Sequence, residues 1–179
     1  SAVRNGVGWL LGVQNGNGGF PTFCRGWGTL PFDRSSPDIT AHCLRAIHES
    51  LPLLDPSSNN SIRRAMTNGF RFLHGVQRPD GAWLPLWFGN QHGPDDENPL
   101  YGTTRVLAAY RDCDRLETPE AQRGLDWLIA NQNEDGGWGG SRGIASSNEE
   151  TALAVEILLS TKPETDAGLR GLEWLMARI

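Results

Sequence analysis

Long apolar runs are missing from this 179-residue sequence, so no segment is built to cross a bilayer as a helix. No basic-then-apolar segment opens it. An excess of positive charge is missing as well. Sixteen Lys and Arg stand against 21 Asp and Glu, a net charge of −5. That removes the basic footprint of a nucleic-acid partner. Cysteine is scarce: Cys24, Cys43 and Cys113 are odd in number and lack C-x-x-C spacing. They read as free thiols in a reducing cytoplasm rather than as a disulfide framework. Neither a P-loop nor a G-x-S-x-G elbow occurs. No stretch alternates apolar and polar residues for long enough to argue a sheet. Hydrophobic residues at 38%, charged residues at 21% and a mean hydropathy of −0.42 describe an ordinary globular chain of one-domain size.

Glycine and tryptophan, by contrast, are plentiful at 22 and 7 residues, and a repeat accounts for both. Residues 9–20 (WLLGVQNGNGGF), 72–83 (FLHGVQRPDGAW) and 127–138 (WLIANQNEDGGW) share one pattern. An aromatic is followed by Leu, then Gln at +5, then a second aromatic six residues on. The Gln positions are Gln14, Gln77 and Gln132, and the closing aromatics are Phe20, Trp83 and Trp138. A fourth copy begins at RGLEWLMARI, but its Gln position is Ile179, where the sequence stops. Such an ending fits a fragment of a larger protein or a decayed last unit.

Between the motifs the periodicity is helical. Ile62, Met66, Phe70 and Leu73 make one apolar face, as do Ala121, Leu125, Leu128 and Ile129, and then Leu169, Leu172, Leu175 and Met176. A second series follows each loop: Ile39, Cys43 and Ile47; Val106, Tyr110 and Cys113; Thr151, Ala154 and Leu158. Ser36-Pro37-Asp38 reads as a helix start with a capping hydroxyl, and Ser147-x-x-Glu150 as a capping box. Each unit is therefore helix, Gly-rich turn, variable loop, helix. The expected class is all-α, one repeat domain over residues 1–179, with about six helices in three hairpins that bury their faces by stacking.

These Gln-to-aromatic repeats resemble the QW motif of the squalene–hopene and oxidosqualene cyclases. SSPDITAHCLRAI (35–47), QRPDGAW (77–83), YGT (101–103) and NQNEDGGWGGS (131–141) are similar to that family's segments in the same order, across essentially the whole chain. The resemblance implies an α/α toroid of helix hairpins, here a partial one. It also implies a reaction in which a linear triterpene is protonated at its terminal double bond and cyclised through carbocations held against aromatic walls. No nucleotide, metal or redox cofactor belongs to that chemistry. The proton donor in the family is an Asp of a D-x-D-D motif, which this sequence lacks; the nearest string is Asp95-Asp96-Glu97.

What the resemblance carries over is the supporting cast. His42 falls on the histidine that partners the acid, and Asp38, one turn earlier, on the residue that pairs with it. The same two residues also fit a simpler account, with Asp38 a first-turn acid serving the helix dipole. Trp87 falls on a cavity-wall tryptophan and Tyr101 on the tyrosine of the YGT segment, although ordinary core packing serves either ring. This sequence departs from the family at Leu86, where an arginine is expected, around Cys24, where an acid is expected, and in the polar segment Gln91 to Pro99.

Three functions follow as expectations. The first is a cyclase-like domain, inactive alone, that meets an isoprenoid substrate, the remainder of the toroid or a second copy, and peripherally a membrane surface in a complete cytoplasmic protein. The second is a non-catalytic helical repeat that binds lipid or protein. The third, a zinc-dependent prenyltransferase-like subunit, lacks its D-x-C ligand pair.

Overall fold

A computed structural model describes residues 2–26, 29–30, 32–54 and 59–178. Ile179, the position aligned with a fourth Gln, lies outside them. Seven α-helices form among the described residues, one more than the periodicity predicts: α1 Ala2–Val13, α2 Pro37–Ser50, α3 Asn59–Val76, α4 Pro99–Asp112, α5 Pro119–Ala130, α6 Asn148–Thr161 and α7 Asp166–Met176. Their only sheet is a two-residue antiparallel pair, β1 Phe20–Pro21 against β2 Ser35–Ser36. Helices α2, α4 and α6 lie side by side as an inner layer, and each packs on the outer helix that follows it, α3, α5 or α7. This is the hairpin arrangement of an α/α toroid. Among the described residues no helix is long and apolar enough to cross a membrane.

The repeat motif is the joint between neighbouring units. In each copy the Gln side-chain amide donates twice. One bond closes the Gly-rich turn, from Gln14 to Gly18 O (2.8 Å), Gln77 to Gly81 O (2.8 Å) and Gln132 to Gly136 O (2.7 Å). The other reaches the next outer helix at Ala65 O (2.9 Å), Glu120 O (2.9 Å) or Ala167 O (2.8 Å). Ala65 lies within α3, and Glu120 and Ala167 in the first turns of α5 and α7, so the amide fastens its turn to backbone carbonyls of the next outer helix. The turn itself needs glycine: Gly18, Gly81 and Gly136 have φ of 91°, 101° and 91°.

The closing aromatics fill the space between layers. Phe20, Trp83 and Trp138 are fully buried. The indole N–H of Trp83 donates to Leu73 O at 2.7 Å, and that of Trp138 to Leu128 O at 2.8 Å, ten residues earlier in both units. A Cβ on Gly124 or Gly171 would meet the ring of Trp83 or Trp138 at 2.8 and 2.5 Å, so glycine on the next outer helix makes room for each indole.

Two expectations about helix faces are corrected. On α7, Leu169, Leu172 and Met176 are exposed, and the buried side is Ala167, Gly168, Gly171 and Trp174. Small residues won because they let α7 approach α6 and the Trp138 ring closely, which leucines at those positions could not. Ser36 occupies the N-cap position of α2, but its hydroxyl makes no capping bond. At α6 the capping box closes by half: Ser147 Oγ accepts Glu150 N–H at 3.2 Å, while the Ser147 N–H goes to Trp138 O at 3.0 Å.

Candidate functional site

The N-terminal ends of the inner helices carry the candidate residues, and a threonine in each helix sets their level. The backbone N–H of Phe20 donates to Thr40 Oγ1 (2.9 Å), that of Trp83 to Thr103 Oγ1 (3.0 Å) and that of Trp138 to Thr151 Oγ1 (3.0 Å). All three threonines are fully buried. Each bond fastens an inner helix to its own Gln–aromatic turn. With the helices aligned on these threonines, Asp38, Tyr101 and Glu149 share the position two residues before, and His42 and Arg105 the position two residues after.

Asp38 is fully buried in the first turn of α2. Its Oδ1 accepts the Ser36 hydroxyl, whose own oxygen accepts the Leu86 N–H at 3.0 Å. Its Oδ2 is buried without a hydrogen-bond partner. The expected meeting with His42 does not become a hydrogen bond: Ser36 holds Asp38 at the helix start, and His42 presents an accessible edge one turn on. The two act on each other through charge. Packing around the His42 ring lowers its pKa, Arg105 lowers it further, Asp38 opposes, and the net shift is downward from 6.5. His42 is therefore mostly neutral near pH 7.

Tyr101 and Trp87 are brought to the same end of the layer. Tyr101 is half-buried and stacks on Phe88, ring centroids 4.3 Å apart. Burial and then the negative charge of Asp38 raise its pKa, which keeps the phenol protonated. Trp87 is 48% exposed, and its indole N–H donates to Thr22 Oγ1 at 2.5 Å. That bond ties the loop after Trp83 to the loop after Phe20 and leaves about half of Trp87 exposed. The polar segment 91–99 is not slack. Asn98 caps α4 by accepting the Tyr101 N–H at 3.0 Å and reaches Glu150 at 3.3 Å, and Leu100 N–H bonds Gly140 O at 3.0 Å.

Arg105, Ser36, Thr22 and Phe88 were not candidates by sequence reasoning. Arg105 sits 5.9 Å from the Tyr101 ring centroid and has a buried, unpartnered Nε. It opens a chain of ion pairs across the three inner helices: Arg105–Glu156 (3.3 Å), Glu156–Arg111 (3.3 Å), Arg111–Asp112 (2.7 Å) and Asp112–Arg45 (2.6 Å). For Asp112, burial acts upward, but the bonds from Arg111 and Arg45 prevail and lower its pKa. Among the described residues no group of three or more His, Cys, Asp or Glu could hold a metal ion.

The helical hairpins and their Gln–aromatic turns find a counterpart among known proteins. Residues 1–178 match the squalene-hopene cyclase C-terminal domain. This chain belongs to the squalene–hopene cyclase family. The squalene–hopene cyclase of Bradyrhizobium diazoefficiens is 28% identical over 202 residues, covering 99% of this chain and 28% of that protein. The drimenyl diphosphate synthase of Streptomyces showdoensis is 32% identical over 184 residues, covering 99% and 31%. The enfumafungin synthase of Hormonema carpetanum is 30% identical over 204 residues, covering 97% and 15%. The ent-copalyl diphosphate synthase from Streptomyces platensis shares the fold, with a TM-score of 0.68 at 24% identity over 89% of this chain and 29% of that one. The cyclase-like domain thus spans less than a third of the length of these relatives.

Proposed function

We propose that this cyclase-like domain, within a longer protein, forms part of the wall of a cavity where a linear isoprenoid is protonated and cyclised. The observation that supports this most is the buried Asp38 carboxylate with its free Oδ2, beside neutral His42 and the Phe88–Tyr101 stack. The proton donor, an aspartic acid of D-x-D-D type, comes from outside this sequence. His42 donates a hydrogen bond to that acid and stabilises its conjugate base, which raises its acidity. Asp38 holds negative charge one turn away and supports the imidazole as the proton leaves. The proton adds to one carbon of the terminal double bond and leaves the other cationic. The π electrons of the next double bond then close the ring and carry the charge onward. Trp87 and Phe88 offer exposed π surface to that moving cation, with Tyr101 stacked behind Phe88. Trp9 and Phe23 are exposed aromatics, and the remainder of the toroid is the partner that covers them.

The names of the relatives include a squalene–hopene cyclase and a drimenyl diphosphate synthase. The longer protein is therefore assayed with squalene and with a linear prenyl diphosphate, products being resolved by mass spectrometry. One of the two should cyclise, and His42→Ala should lower kcat by roughly 10²–10⁴-fold, the usual range for a group that assists proton transfer. Cyclisation of neither substrate, or full activity in both His42→Ala and Asp38→Asn, would rule the reading out.

A further inference from the structure

A cavity lies at the end of the inner layer opposite Asp38. It is a cleft of about 550 Å³ between the C-terminal ends of α2 and α4 and the side of α3. Twelve residues of α2, 39–50, separate its Leu51 from Asp38, roughly 20 Å at the rise of an α-helix. The volume falls within the range of about 300–1,000 Å³ typical of small-molecule sites. Leu51, Ile62, Met66 and Cys113 supply apolar lining, and Arg63, Thr67 and Arg115 add polar lining. Burial pushes the Cys113 thiol up to about 11, so it stays protonated and adds no charge.

The two arginines are unspent. Neither forms an ion pair with any described residue. Arg115 is fixed in place by its guanidinium, 4.4 Å from the Phe70 ring centroid, a contact that leaves its N–H edges available. Arg63 belongs to a helix with no acidic residue: α3 carries Arg63, Arg64, Arg71 and His74 in a chain whose net charge is −5.

A largely apolar cleft whose lining includes two guanidiniums without an ion pair among the described residues complements one kind of small molecule. We infer that this cleft binds a monomeric amphiphile with a single alkyl or prenyl chain and an anionic phosphate or carboxylate head. The chain enters over Ile62 and Met66, and Arg63 and Arg115 hold the head. The inference does not rest on the proposed cyclisation, since the site, the residues and the readout are all separate from Asp38 and His42.

Dodecyl phosphate, below its micelle concentration, is the probe, titrated into the intact chain with calorimetry and methyl NMR. Saturable one-to-one binding that shifts the Met66 and Ile62 methyl signals is expected. Dodecanol, which lacks the charge, and inorganic phosphate, which lacks the chain, should each bind at least about tenfold more weakly. The double variant Arg63→Gln/Arg115→Gln, with unchanged circular dichroism, should lose about tenfold in affinity for dodecyl phosphate and nothing for dodecanol. Equal affinity for dodecanol and dodecyl phosphate, or an unaffected double variant, would overturn the inference. So would binding to phosphatidylglycerol vesicles without binding to the monomer, because the α3 arginines would then serve a lipid surface rather than a cleft.

Discussion

Thr103 Oγ1 accepts the backbone N–H of Trp83 at 3.0 Å, twenty residues away across a whole loop. Both groups are fully buried, so no water can replace the hydroxyl. Thr103→Val keeps the shape and removes the acceptor, leaving an orphaned N–H. It should cost about 1–3 kcal/mol of unfolding free energy. Thr103→Ser keeps the acceptor and should cost about 1 kcal/mol for one lost methyl group. Urea unfolding of the two variants decides the matter: if serine is as damaging as valine, the hydrogen bond carries no weight.

The indole N–H of Trp138 offers a second test of the joint. Trp138→Phe loses the 2.8 Å bond to Leu128 O and part of the contact with Gly171, while the first unit already uses Phe20 at this position. A loss of about 1–3 kcal/mol is expected, well below the roughly 3–5 kcal/mol of Trp138→Ala. Thermal and urea unfolding that fail to separate the two variants would mean the ring's bulk is unimportant.

Two glycines should respond with opposite signs. Gly81 has φ of 101°, and a Cβ there would meet Arg123 O at 2.6 Å; Gly75, near the end of α3, has nothing within 4 Å. Gly81→Ala should destabilise by more than 1 kcal/mol through strain and the clash. Gly75→Ala should stabilise by about 0.5–1 kcal/mol, the helix preference of alanine over glycine. The prediction fails if the two midpoints in urea move in the same direction.

How much of this was legible in the sequence depends on the range of each interaction. The Gln and closing aromatic of each unit are close in sequence, because the Gln closes its turn on the carbonyl four residues on. Their spacing is therefore fixed and readable. The threonine acceptors lie 20, 20 and 13 residues beyond the aromatic, with loops of different composition between, so they do not align until the inner helices are superposed. Arg105 was hidden for the same reason. The α7 face was misread because periodicity counts large apolar residues, whereas that interface is built on Ala167, Gly168 and Gly171. Ser36 read as a cap because its real partners, Asp38 and the Leu86 N–H, include one fifty residues away.

The charge around His42 makes the last prediction. Its folded pKa lies below the 6.5 of a free imidazole, because packing and Arg105 outweigh Asp38. The unfolded chain therefore binds more protons at this residue than the folded one between the two pKa values. Stability from His42 is fully present above about pH 6.5, falls as the pH drops through that value, and levels off below the folded pKa. His42→Asn should flatten this part of the stability–pH curve. Two further variants should move the NMR titration of His42 in opposite directions: Arg105→Gln upward, by removing a positive neighbour, and Asp38→Asn downward, by removing the negative one. A His42 that titrates at or above 6.5 in the unaltered chain, or shifts the same way in both variants, would remove the electrostatic link between these residues. The neutral imidazole on which the proposed acid support depends would go with it.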